Sequence, residues 1–224
     1  MKILIINPNS DLVMTESIQR TAVDFIYGEF EVSCKATPGA PKFIETYEDE
    51  LKAAQGMIQL IRENPVYDAF IVACHDDPHL DVLKEITNKP VVGIGEASMK
   101  IASMLGHKFS VVSTSKHSIP IKEGLVRKYH LQDVLASVRA PEEDMLNLNE
   151  EEKYLAIAKL AIEKDMAEVI VLGCAGMTGL DKHLQEELDV PVLDGVICAL
   201  IISMGLLKYG VTTSKIRRFN PNWE

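Results

Sequence analysis

Ile71-Val72-Ala73-Cys74 and Val171-Leu172-Gly173-Cys174 lie 100 residues apart, each an apolar run that ends in a cysteine. The match continues downstream, where Leu80 and Asp81 recur as Leu180 and Asp181, and Lys89-Pro90-Val91-Val92 is answered one residue out of step by Val190-Pro191-Val192-Leu193. Upstream, Lys2-Ile3-Leu4-Ile5-Ile6-Asn7 pairs with Lys108-Phe109-Ser110-Val111-Val112-Ser113, and each opens a set of four β-rich runs. The eight runs cover residues 2–6, 30–35, 69–73, 91–94, 108–112, 134–139, 168–172 and 191–193. Helical patterns separate most of them, at 12–27, 47–63, 79–87, 97–104, 119–129, 150–164, 179–188 and 194–207. Strands alternating with helices imply right-handed βαβ units and a mostly parallel sheet. The expected fold is α/β, with two lobes related by a pseudo-twofold axis, each a mainly parallel four-stranded sheet flanked by helices. Residues 1–95 together with 196–224 form the first lobe in this reading, the last helix packing back on it, and residues 96–195 form the second.

Composition narrows the function classes. The 224 residues are 47% hydrophobic, enough for a substantial core without staples. A net charge of −10 argues against nucleic acid or an anionic membrane as partner, because both demand basic surface. A small-molecule ligand is the expected partner. The opening residues enter a strand pattern at once and lack the features of a secretory signal, and the apolar stretch 196–207 is short of the roughly 20 residues a spanning helix needs. These features predict a cytoplasmic protein whose four cysteines are thiols rather than disulfides. No two cysteines have a Cys-x-x-Cys spacing, so a metal site is not expected. A homo-oligomer is the base-rate expectation for a soluble enzyme.

The chemistry concentrates at the carboxyl ends of the predicted strands, where ligands bind in folds of this kind. A cysteine placed after a strand and just before a helix sits where unpaired amides favour an anion, so Cys74 and Cys174 are both expected below the ordinary thiol pKa of about 8.5. Taken singly, each reads equally well as a buried structural cysteine; their recurrence within the repeat favours a paired thiol site. Cys34 and Cys198 lie within an apolar strand and an apolar helix and read as core. Gly173-Cys174-Ala175-Gly176 has little side-chain bulk, so a ligand carbonyl can approach the amides of Ala175 and Gly176 as an oxyanion site; a tight turn that needs glycine explains the same residues. In Cys74-His75-Asp76-Asp77-Pro78, His75 reads as an acid–base group, an orienting donor or a surface residue, and Asp76 or Asp77 as a cap for a helix with Pro78 in its first turn. The loops Asn7-Pro8-Asn9-Ser10 and Ser113-Thr114-Ser115 offer uncharged donors, of which one in each is expected to cap a helix and others, with Asn9, Ser113 and Thr114 foremost, to meet substrate. Residues 37–45 read as a loop that closes over the site with Phe43 and Ile44 as apolar walls, or as an ordinary surface connection.

Together these motifs resemble the hydantoin racemase family, which includes allantoin racemases and belongs to the aspartate/glutamate racemase superfamily. Asn7-Pro8-Asn9-Ser10 with Met14-Thr15 is similar to the family's opening segment. Pro41, Ile44 and Glu45 fit its Gly-Pro-x-x-Ile-Glu loop, Val92-Gly93-Ile94-Gly95-Glu96-Ala97 its central stretch, and Leu172-Gly173-Cys174-Ala175-Gly176-Met177 its second cysteine motif. The departures are His75 where relatives commonly have an aromatic residue, His79 near a usual glycine, and Ala40 before Pro41.

The resemblance implies cofactor-independent racemisation with Cys74 and Cys174 at the catalytic positions. Inversion at Cα needs a base on one face and an acid on the other, and two opposed thiols supply both. Loops without an evident cation suit a cyclic ureide such as a 5-substituted hydantoin or allantoin better than a free amino acid. Three other readings stay open: an aspartate/glutamate-type racemase, an arylmalonate-type decarboxylase needing one cysteine as proton donor, and a binding protein without turnover.

Overall fold

A computed structural model describes residues 1–142, 145 and 147–220. Eight strands and eight α-helices alternate along the described chain: β1 (Lys2–Asn7), α1 (Leu12–Ile26), β2 (Glu31–Ala36), α2 (Tyr47–Glu63), β3 (Ala69–Val72), α3 (Leu80–Ile86), β4 (Val91–Gly93) and α4 (Ile94–Leu105) precede β5 (Phe109–Val112), α5 (Ile119–Lys128), β6 (Leu135–Arg139), α6 (Glu150–Asp165), β7 (Val169–Leu172), α7 (Asp181–Leu188), β8 (Val192–Leu193) and α8 (Gly195–Tyr209). The strands form two four-stranded parallel sheets, ordered β2-β1-β3-β4 and β6-β5-β7-β8. The α/β class and its two parallel four-stranded sheets are as the periodicity predicts. By packing the chain divides into one unit of residues 1–94 and 199–224 and another of residues 95–198.

In the first unit, Leu4, Ile6, Phe70 and Val72 project from one sheet face into a core shared with Met57, Leu60 and Ile61 of α2 and with Leu80 and Leu83 of α3. Ile3, Ile5 and Ile71 are equally buried but point to the other face, as the two-residue strand period requires. A sheet covered on both sides needs apolar residues at consecutive positions, which is why β1 and β3 read as unbroken hydrophobic runs. The helices announce their starts locally. Thr46 and Asp49 close a capping box on α2, Asn149 and Glu152 close another on α6, and both first turns are acidic, which suits the positive end of the helix dipole.

The second unit repeats the plan. One face carries Ile170, Leu172 and Val192 against Tyr154, Ile157 and Ala161 of α6 and Leu184 of α7. On the other, Phe109, Val111, Val169 and Val171 meet Met99 and Ala102 of α4 and Leu125 and Val126 of α5. Among the described residues no helix is long and apolar enough to cross a membrane.

Arg139, the last residue of β6, grips Asp165, the last residue of α6, through Nε–Oδ2 (2.5 Å) and Nη2–Oδ1 (2.9 Å) hydrogen bonds. The guanidinium holds the Asp165 carboxyl below its ordinary pKa. A carboxylate whose folded pKa is depressed stabilises the fold at neutral pH and loses that contribution as pH falls through the folded value. Asp165→Asn is therefore expected to lower unfolding free energy by about 1–2 kcal/mol at pH 7. Urea titrations of both proteins should show the difference shrinking below about pH 4, where the unfolded carboxyl begins to protonate; a difference constant down to pH 2 would contradict this.

Candidate active site

The order β2-β1-β3-β4 places β2 on one side of β1 and β3 on the other, so the chain leaves the carboxyl ends of β1 and β3 in opposite directions and opens a crevice there. Asn7 ends β1 and Cys74 lies two residues beyond β3; Ala73 N–H donates to Ile6 O (2.8 Å), which sets the cysteine loop beside the asparagine loop. The second sheet has the same arrangement. Gly173 N–H donates to Val112 O (2.8 Å), and Cys174 follows beside the loop that starts at Ser113.

The two cysteine turns share two backbone hydrogen bonds at equivalent positions. Asp77 N–H donates to Cys74 O (3.0 Å) and Leu80 N–H to Asp77 O (3.2 Å); Met177 N–H donates to Cys174 O (3.1 Å) and Leu180 N–H to Met177 O (3.1 Å). Both turns then pass through a left-handed residue, His79 with φ 54° and Gly179 with φ 87°. Glycine adopts that conformation without cost, whereas a side chain there is strained. At His79 the strain is accompanied by a tie, since the Nε2–H donates to Glu50 O of α2 (2.9 Å) and links the cysteine turn to that helix.

These turns displace the helix starts from where the sequence puts them. α3 begins at Leu80, two residues beyond Pro78, so its N-cap position falls to His79, which makes no side-chain cap bond, rather than to Asp76 or Asp77. α7 likewise begins at Asp181 rather than Gly179, because a 3₁₀ turn over Ala175–Met177 intervenes. The dipoles of α3 and α7 thus do not act directly on the thiols. Cys174 instead heads the 3₁₀ turn, and its Sγ accepts a hydrogen bond from Gly176 N–H (3.3 Å). The amide read in the sequence as an oxyanion donor is directed at the sulfur.

All four cysteines are reduced thiols. Cys74 and Cys174 are half-buried at the strand ends, whereas Cys34 and Cys198 have thiols pushed up to about 12 by burial. Cys34 lies half-buried in the edge strand β2 and Cys198 is buried. His75 is 1% exposed, which excludes the surface reading. Asp77 is also buried, with its carboxylate against Gly93: a Cβ on Gly93 would stand 2.1 Å from Asp77 Oδ1. By strand register the matching positions in the second unit are Met177, buried in the core, and Asp194, so the buried carboxylate comes from the cysteine turn in one copy and from the residue after the fourth strand in the other.

The remaining predicted site residues divide between exposed and internally engaged groups. Asn9 is buried; its Oδ1 accepts from Asn7 Nδ2 (2.7 Å) and Asp11 N–H (3.0 Å), and its Nδ2 faces Met14 Sδ (3.3 Å). Asp11, outside the predicted quartet, caps α1 through Met14 N–H. Ser113 is buried with its Oγ 2.5 Å from Ser118 Oγ, which itself donates to Ser115 O, so Ser113 is the donor. Thr114 and Gly176 are exposed and Ala175 is buried. Residues 37–41 are pinned: Thr37 Oγ1 donates to Asn7 O (2.7 Å), Thr37 N–H to Asn9 O (3.0 Å), and Ser10 N–H to Pro41 O (2.9 Å). Beyond them Ile44 packs on the α2 core and Phe43 is 52% exposed. Sequence reading missed Thr178 and Asp194, whose side chains meet 2.5 Å apart below the Cys174 turn; an aspartate before a helix-starting glycine was their only trace. Among the described residues no group of three or more His, Cys, Asp or Glu is arranged to hold a metal ion.

A repeated parallel α/β unit with a thiol on an equivalent strand-end turn in each copy marks the class as a cysteine-bearing enzyme of doubled architecture. The chain belongs to the Asp/Glu/hydantoin racemase family, whose model matches residues 3–201, and it is an isomerase of the racemase type. It is 36% identical to the hydantoin racemase of Pseudomonas sp. (strain NS671) over 226 residues, covering 98% of this chain and 91% of that one. The allantoin racemase from Klebsiella pneumoniae has a similar structure, with TM-score 0.92, 31% identity and coverage of 100% and 95%. The allantoin racemase of Pseudomonas fluorescens also matches at TM-score 0.92, with 34% identity and coverage of 100% and 98%.

Proposed function

We propose that this protein racemises a cyclic ureide, a 5-substituted hydantoin or allantoin, with Cys74 and Cys174 as the alternating base and acid and without a cofactor. The observation that carries the reading is the recurrence of a cysteine two residues past an equivalent strand in each sheet, followed in both turns by the same two backbone bonds. Similarity over the full chain to hydantoin and allantoin racemases supports the substrate class.

In this mechanism a thiolate removes the Cα proton and becomes a thiol, leaving a planar enolate. The other thiol then delivers its proton to the opposite face and becomes a thiolate. One turnover thus exchanges the protonation states of the pair, and the reverse reaction starts from the state just reached. For Cys174, the Gly176 amide aimed at Sγ favours the charged form. The exposed Thr114 hydroxyl and the Ala175 backbone are assigned to the enolate oxygen, His75 and Asn9 to holding the first cysteine loop against substrate, Ser113 to fixing its own loop, and Phe43 and Ile44 to the apolar wall. Loops that offer amides and hydroxyls suit a ureide, whose ring is neutral, and reduced thiols suit a cytoplasmic setting.

Enantiopure 5-substituted hydantoins, allantoin, aspartate and glutamate should be incubated with the protein in deuterium oxide, with optical rotation and Cα deuteration followed together. Loss of rotation in step with deuteration for a ureide alone is the expected result. Racemisation of aspartate or glutamate instead would move the assignment to an amino-acid racemase, and no exchange into any candidate would defeat it.

A further inference from the structure

Asp194 is 4% exposed and lies between β8 and α8. Its two oxygens meet donors from two separate stretches. Oδ1 accepts from Val196 N–H (2.7 Å) and Ile197 N–H (3.4 Å), at the start of α8. Oδ2 accepts from Thr178 Oγ1 (2.5 Å) and Gly179 N–H (3.1 Å), at the end of the cysteine turn. One carboxylate therefore stitches the turn that follows β7 to the helix that follows β8.

The turn has little freedom to move independently of that stitch. Only three residues separate Cys174 from Thr178, and they are locked by Met177 N–H on Cys174 O (3.1 Å) and Thr178 N–H on Ala175 O (3.2 Å). Gly179 continues in the left-handed conformation, and Leu180 N–H returns to Met177 O (3.1 Å). A displacement of Thr178 is thus passed to Ala175 and Gly176, and the Gly176 amide is the group that faces Cys174 Sγ. A second buried carboxyl, Asp181 in the first turn of α7, lies close enough to feel the charge of Asp194.

We propose that Thr178 and Asp194 are positioning residues for the reaction: they latch the Cys174 turn to the start of α8 and so hold the Gly176 amide against the sulfur. The inference rests on the reading of Cys174 as a reacting thiol. Neither residue needs to touch substrate; each acts through the turn.

Thr178→Val keeps the shape of the side chain and removes only the hydroxyl, while Asp194 keeps its three backbone donors, and Thr178→Ser restores the hydroxyl. Both variants should be compared with wild type for kcat and KM on the preferred substrate, for melting temperature, and for the rate at which iodoacetamide alkylates Cys174. Peptide mass spectrometry supplies that rate, with Cys74 of the same molecule as internal reference. In Thr178→Val we expect kcat about 10-fold or more below wild type with KM within about 2-fold, since small displacements at a reacting group are costly. The ratio of Cys174 to Cys74 alkylation should fall by a similar factor, and Thr178→Ser should recover both. An unchanged alkylation ratio in Thr178→Val, even with a lower melting temperature, overturns the proposal, as does a serine variant that behaves like valine. If wild type turns over no candidate, the functional reading fails on its own, and the alkylation ratio still decides whether the latch holds the thiol. Should Thr178→Val not fold, Asp194→Asn, which keeps an acceptor for α8, is put through the same comparison with the same outcomes.

Discussion

Cys74→Ser and Cys174→Ser are each expected to lower racemisation by about 10²–10⁴-fold, the range associated with loss of a positioned acid or base. A hydroxyl in place of the thiol preserves size but is a far weaker acid, so neither variant can complete the two-sided proton transfer. The two should fail differently. On the proposed mechanism the remaining thiol in each variant serves one side of Cα, so it can remove a proton and return a deuteron to that same face. In deuterium oxide each variant should therefore exchange one enantiomer of the substrate with retention and leave the other unlabelled, with the preferred enantiomer opposite in the two proteins. Circular dichroism should be unchanged, because neither cysteine belongs to a core strand or to the interior of an α-helix. Racemisation at the wild-type rate in either variant would break the pairing, and exchange of the same enantiomer by both would place the thiols on one face.

Gly173→Ala should be damaging although it leaves every reacting group intact. Gly173 is not in the left-handed region; its smallness is needed because β7 runs close to β5. A Cβ there would stand 2.6 Å from Val112 O and 3.0 Å from Val111 Cγ1, and the nearer of these is backbone of a buried strand that cannot step aside. Insertion of a methyl group into such a contact typically costs about 1–3 kcal/mol. The strand end must shift away to relieve the contact, and Cys174 moves with it. Since a displacement near 1 Å can cost about 10²-fold in rate, activity should fall well beyond what the stability loss explains. Gly124→Ala is the control, because the added Cβ would meet nothing within 4 Å inside α5 and should stabilise by about 0.5–1 kcal/mol. Melting curves and kcat measured on both variants separate the two cases. A Gly173→Ala protein as stable and active as wild type would contradict the close-approach argument.

The strands and helices were legible in the sequence to within a few residues because their signals are local. Lys2 to Ile6 can only be a strand buried on both faces, and Thr46 with Asp49 mark the start of a helix without reference to anything else in the chain. The loops were less legible. The helices after the cysteines were expected at His79 and Gly179, yet the chain spends the intervening residues on hydrogen-bonded turns that carry no hydrophobic period. β4 also runs into α4 without a loop, so that helix starts three residues ahead of the expected Ala97.

What the amino-acid order determined by itself was the α/β class, the fourfold strand count of each half and the recurrence of a cysteine at the same place in both. Each of these follows from periodicity and repetition along the chain. Tertiary structure alone decided the partners of the polar groups: Asp194 with Thr178, His79 with Glu50, Asp77 with the space left by Gly93. These contacts join residues 16 to 29 positions apart. They form only when strand register and helix packing bring separate loops together, and no local pattern encodes that distance.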